Sequence, residues 1–129
     1  MLRYAIALTV APCAAFAQDV DCDHQLTQLD MNTCSYQEWV TADAELNSVY
    51  AAAITIVQMR DREYAPEGAS EEDRLRIAQR AWVAFRDAQC DVAGFQMRGG
   101  SAEALLINSC MRMMTQERIA ALQGLAAEF

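Results

Sequence analysis

The chain has no lysine; its ten basic residues are all arginine, set against eighteen acids, and it has one histidine. That histidine, His24, lies in a polar N-terminal stretch beside Cys22, where it reads as a solvated side chain rather than a general base. No Ser–His pair can be placed on ordered elements. A glycine-rich phosphate loop is also missing, because the one glycine pair, Gly99-Gly100, reads as a helix stop. No C-x-x-C pair occurs, which speaks against a four-thiolate zinc centre. The acids come as near neighbours, Asp43 with Glu45 and Glu71 through Asp73, not as the two opposed carboxylates that a glycosidase holds across a cleft. No catalytic, cofactor or metal site follows from these residues, and the expectation is a protein that is not an enzyme.

Longer patterns are missing too. Nothing alternates in the manner of a strand, no segment repeats and none is of low complexity. No apolar run approaches the roughly 20 residues that a transmembrane helix needs. The acid excess, a formal charge of -8, sets the protein against nucleic acid and anionic lipid and favours a basic partner.

The N-terminus is an address rather than part of a fold. Met1-Leu2-Arg3 carries one positive charge, Tyr4 to Cys13 is mostly apolar, and Ala15-Phe16-Ala17 is an A-x-A cleavage signal before polar Gln18. Residues 1–17 therefore read as a secretory signal peptide cleaved after Ala17, and residues 18–129 as one mature domain in the periplasm or outside the cell. Removing the leader takes away Arg3 and no acid, so the mature charge is -9, nine arginines against eighteen acids. Val10-Ala11-Pro12-Cys13 loosely resembles a lipoprotein box; the proline before Cys13 and the competing A-x-A site disfavour a lipid anchor there.

Thr27 is placed to cap a first helix, with Asp30 three positions on, and apolar residues recur at helical spacing from Leu29 to Val57 without glycine or proline. Pro66 and Gly68 mark a turn over residues 64–69. Ser70 caps a second helix, Ser70-x-x-Asp73, whose stripe runs Leu75, Ala78, Trp82, Phe85 and Phe95, and Arg98-Gly99-Gly100 ends it. Ser101 caps a third, with Leu105, Leu106, Ile107, Met113, Met114, Ile119 and Leu122; Thr115 is a place where it could recap or bend. The fold class is all-α: three antiparallel helices, or four if Thr115 divides the last, in a small disulfide-stapled bundle.

Cys22, Cys34, Cys90 and Cys110 remain after the leader, and an even number behind a signal peptide points to two disulfides. Cys90 and Cys110 are nearly equidistant from the Gly99-Gly100 turn, so antiparallel neighbours favour Cys90–Cys110 and leave Cys22–Cys34. Cys34–Cys90 with Cys22–Cys110 is the alternative. Asp43, Asn47 and Tyr50 share one face of the first helix, and Gln79, Trp82 and Arg86 share one face of the second. A buried arginine needs a carboxylate or several carbonyls, so Asp43 or Asn47 is expected to meet Gln79 or Arg86 across the helix pair.

These residues fall into ordered blocks. Cys22-x4-Thr27-Gln28-x-x-Met31-Asn32-x-Cys34 is followed by Ala42-Asp43-Ala44-Glu45-Leu46-Asn47-x-x-Tyr50. Then come Ala78-Gln79-Arg80-Ala81-Trp82-x3-Arg86-Asp87-x-x-Cys90, Gly99-Gly100-Ser101, Cys110 and Thr115-x-x-Arg118-x3-Leu122. From Cys22 to Leu122 the chain resembles the LprI-type lysozyme-inhibitor domain, a family of small exported bacterial proteins. The resemblance implies an extracytoplasmic helical domain and, for some members, inhibition of lysozyme. It brings no catalytic residues; its shared positions, Asp43, Leu46, Asn47, Tyr50, Gln79, Trp82, Arg86, Gly100, Ser101, Thr115 and Arg118, suit a fold signature. The expected partner is a basic protein such as lysozyme; the turns Glu63 to Gly68 and Arg98 to Ser101 are contact candidates that read first as plain connectors. A non-inhibitory envelope interaction module is the alternative.

Overall fold

In the computed structural model, residues 20–64 and 67–127 are described; the leader, Cys13 and Pro66 lie outside them. Helix α1 spans Gln28–Tyr64, α2 spans Glu71–Gly94 and α3 spans Glu103–Ala127, with a 3-10 turn over Phe95–Met97 between the last two. No strand occurs among the described residues. Nor is any helix there long and apolar enough to cross a membrane.

Local chemistry sets most of these boundaries. The Asp30 amide donates to the Thr27 hydroxyl at 3.1 Å, and the Thr27 amide donates to the Asp30 carboxylate at 2.9 Å, a reciprocal capping box. Ser70 accepts from the Asp73 amide at 3.1 Å and caps α2. The next amides, of Glu71 and Glu72, donate to the two carboxylate oxygens of Asp61 at 2.9 and 3.0 Å, so the last turns of α1 cap the first turn of α2. Gly68 (φ 96°) and Gly99 (φ 74°) supply the left-handed positions in the two connections.

Three sequence expectations are corrected. α2 ends at Gly94, not Arg98, and tightens into the 3-10 turn. α3 begins at Glu103 rather than at a Ser101 cap; Glu103 reaches back instead to accept from the Gly99 amide at 2.7 Å. Thr115 does not recap α3, which runs unbroken through it as one helix.

The apolar core joins Leu46, Ala53, Ile54 and Val57 of α1 to Leu75 of α2 and to Ile119 and Leu122 of α3, with Val49, Tyr50, Trp82 and Leu125 packed against it. Leu29, Phe85, Phe95 and Met113, read from the sequence as part of the apolar stripes, are more than half exposed. The bridges join Cys22 to Cys34 and Cys90 to Cys110. The first ties the residues before α1 onto its second turn. The second links α2 to α3, and the Met114 sulfur lies 3.7 and 3.9 Å from its two sulfurs. Asn32 and Asn108 contact each other near the starts of α1 and α3, and Arg60 meets the Leu125 carbonyl near their ends.

Gly94 lets α2 and α3 close on each other: a Cβ there would lie 2.6 Å from Ile107 Cγ1. In a helix, alanine is favoured over glycine by about 1 kcal/mol, whereas overpacking typically costs roughly 1–3 kcal/mol. Gly94→Ala is therefore expected to lower the urea midpoint in the natural chain and to raise it in an Ile107→Ala background. The same sign in both backgrounds would show that the contact does not couple them.

The Thr27 hydroxyl and amide hold the Asp30 carboxyl below its ordinary value of 3.8. A depressed carboxyl stabilises the fold above the unfolded value and loses that contribution as pH falls through the folded one. Acid titration followed by amide exchange at the start of α1 is expected to show loosening below about pH 4. Asp30→Asn is expected to remove that pH dependence.

Candidate functional site

Arg86 is 6 % exposed and lies where the three helices meet. Its Nη1 donates to Asp43 Oδ1 of α1 at 2.8 Å and to Thr115 Oγ1 of α3 at 3.2 Å, and its Nε donates to Asp87 Oδ1 at 2.9 Å. Its guanidinium carbon stands 5.1 Å from the centroid of the Trp82 ring, and that of Arg118 stands 5.8 Å from the same centroid. Arg118 Nε donates to Gln79 Oε1 at 2.9 Å. Burial pushes the Arg118 guanidinium below its ordinary value, with Tyr50 opposing the shift.

Of the residues singled out in the sequence, the structure brings Asp43, Trp82, Arg86, Thr115, Gln79 and Arg118 into this one connected junction. Leu46 is in the apolar core, and Tyr50 packs against that core. Asn47 is exposed and has no part in the junction, and Gln79 turns to α3 rather than α1. Gly100 and Ser101 lie apart: the Gly100 amide donates to the Met97 carbonyl at 2.8 Å, and the Ser101 carbonyl accepts from Asn32 Nδ2 at 2.9 Å. With Arg98 4.4 Å over the Phe95 ring, the Arg98–Ser101 turn is tied down at several points.

Several polar contacts carry no sequence signal. Asn108, 9 % exposed, donates to the Ser35 hydroxyl at 3.2 Å and to the Asn32 carbonyl at 3.3 Å. Arg60 reaches Glu71 and the Leu125 carbonyl, both at 2.9 Å. None of these side chains has a fixed spacing to its partner; only the helical placement of the polar residue on an otherwise apolar face hints at it.

Beside the Cys22–Cys34 bridge, α1 and α3 leave an open groove of about 590 Å³ lined by Gln37, Glu38, Thr41, Glu45, Arg112 and Gln116. Arg112 Nε stands 3.2 Å from Glu38 Oε2 across it. Its lining is rich in acceptors, and both cysteine sulfurs are held in the bridge. His24, beyond the groove, bonds to Asp21 at 3.0 Å and faces solvent. Such a surface can take up the cationic and amide groups of a partner by hydrogen bonding and charge.

What the geometry defines is a small all-helical domain held by two disulfides and a buried arginine junction, with an acceptor-rich groove at its stapled end. The chain belongs to the family described as Lysozyme inhibitor LprI, whose model matches residues 21–122. It is 39% identical over 118 residues to Uncharacterized protein R02472 of Rhizobium meliloti (strain 1021), covering 89% of this chain and 85% of that one. Uncharacterized protein YecT of Escherichia coli (strain K12) is 28% identical over 105 residues, covering 67% of this chain and 65% of its own. No solved structure matches.

Replacing Arg86 by alanine strands Asp43 and Thr115 together, and breaking a buried pair costs about 3 kcal/mol or more. Asp43→Ala takes one acceptor from the buried guanidinium but leaves it Asp87 and Thr115, so it is expected to cost less, about 2 kcal/mol. Urea unfolding followed by circular dichroism checks the order; an Arg86→Ala chain as stable as Asp43→Ala would remove the junction from its central place.

Proposed function

We propose that the protein is exported, loses its leader after Ala17, and works in the periplasm or outside the cell by binding and inhibiting lysozyme or a related peptidoglycan-cleaving enzyme. The family match over residues 21–122 carries this reading. The two disulfides suit an oxidising compartment. In this reading the protein does no chemistry of its own, needs no cofactor and carries no lipid at Cys13. The bonds from Glu71 and Glu72 to Asp61 and the Cys90–Cys110 bridge, each across a connection, support antiparallel neighbours, and a scaffold held in this way keeps the ordering cost of binding low.

The charge supports a basic target. Eighteen acids against the nine arginines that remain without the leader give a surface that attracts a cationic enzyme and speeds encounter at low salt. The groove beside Cys22–Cys34 is our choice of contact surface, because Glu38 and Glu45 line it with Gln37 and Gln116. A basic side chain entering there would meet carboxylate and amide acceptors together. The turn from Glu63 to Gly68, where Tyr64 is 68% exposed, is the second contact candidate.

Lysis of a cell-wall suspension by an animal-type lysozyme is expected to slow when the oxidised protein is added in excess. The effect is expected to fade from about 0.01 M to about 1 M salt, as the screening length contracts from about 30 to about 3 Å. Glu45→Arg is expected to weaken it. Unchanged lysis at low salt and excess protein rejects inhibition of that enzyme.

A further inference from the structure

The outward side of α2 is apolar. Ile77, Ala81, Ala84, Phe85, Ala88 and Val92 follow one another at helical spacing, and all are exposed, the three large ones at 52%, 58% and 62%. The core-facing side of the same helix carries Leu75, Trp82 and Cys90 along with Gln79 and Arg86, so α2 has apolar residues on two faces and only one is used inside the chain. One edge of the outer stripe carries Arg80, Asp87 and Asp91, at i, i+7 and i+11. Asp87 binds Arg86 and is half exposed, whereas Arg80 and Asp91 are exposed and make no ion pair among the described residues.

This pattern is self-complementary. We propose that α2 packs against α2 of a second copy of this chain, the helices antiparallel about a two-fold axis between Ala84 and Phe85. That operation sets Ile77 against Val92, Ala81 against Ala88 and Ala84 against Phe85 of the second copy. In an antiparallel helix pair like edges face each other, so Arg80 falls between Asp87 and Asp91 of the second copy, and the same contact recurs at the other end. The alanines let the helix axes approach to about 8 Å. A charged stripe edge, on which Arg80 and Asp91 have no ion pair among the described residues, and an uncharged stripe centre suit a helix-to-helix interface. The groove beside Cys22–Cys34 is on other helices, so this pairing does not depend on the proposed inhibition.

Sedimentation velocity of the oxidised protein, as recovered from the cells that make it, tests the pairing across concentration. A reversible monomer–dimer equilibrium is expected. Phe85→Asp is expected to weaken it by at least about tenfold, with the helical circular dichroism and the melting temperature of the monomer unchanged. Arg80→Asp is expected to weaken it, and Arg80→Asp with Asp91→Arg to restore it. A chain that stays monomeric up to about 1 mM overturns the proposal, as does a dimer indifferent to Phe85→Asp. A monomer that binds phosphatidylcholine vesicles and loses them on Phe85→Asp also overturns it, and gives the stripe to a lipid surface.

Discussion

The burial of one guanidinium sets terms for the rest of the molecule. Arg86 is withdrawn from water, so its donors must find acceptors in fixed directions, and it finds them on Asp43 of α1, on Asp87 beside it and on Thr115 of α3. A slide of any helix by one turn, about 5.4 Å, would break at least one of these bonds. Buried ion pairs add little net stability over well-packed apolar groups, but they penalise every wrong register. Trp82 and the Arg118–Gln79 bond extend the same restraint along α2 and α3. Asp43, Gln79, Trp82, Arg86, Thr115 and Arg118, all singled out in the sequence, converge on this junction.

Cohesion differs on the two sides of that junction. Toward the end of α1 it is apolar, from Leu46 through Val57 with Leu75, Ile119 and Leu122. Toward the start of α1 the apolar filling gives way to the buried Cys34 and Cys90 with their bridges, to Ser35 and to Asn108. A chain of this length has little surface to bury, and the disulfides stand where side-chain packing is thinnest. The acceptor-rich groove opens at that same end, next to the Cys22–Cys34 bridge. Stapling thus holds rigid a surface that apolar packing alone would leave loose.

The helices were legible in the sequence because their signals are local. Thr27 with Asp30, Ser70 with Asp73, and Gly68 and Gly99 act within a few residues of themselves. Asp43 and Arg86 could be matched because each is a charge on a mostly apolar face. Thr115, Asn108 and Asp61 could not, since a threonine, an asparagine or an aspartate near a helix end has many possible roles, and the partner is chosen by the fold. Phe85 and Phe95 were assigned to the core stripe for a definable reason: α2 is apolar on two sides, and periodicity alone does not say which side is turned inward. The Ser101 cap failed because the Glu103 amide donates to the Gly100 carbonyl instead and the helix starts only at Glu103.

Both bridges close short stretches of chain, with sequence separations of 12 and 20, and both sit on the same side of the arginine junction. Constraint on loops of this size contributes about 3 kcal/mol each in the chain-entropy account. That contribution is confined to one end, while the Leu46-to-Leu122 cluster at the other owes nothing to sulfur. Thiol reductants therefore act on this molecule as a regional solvent. They loosen the N-terminal segment and the groove beside it first, while the far ends of the three helices stay packed as a cooperative remnant.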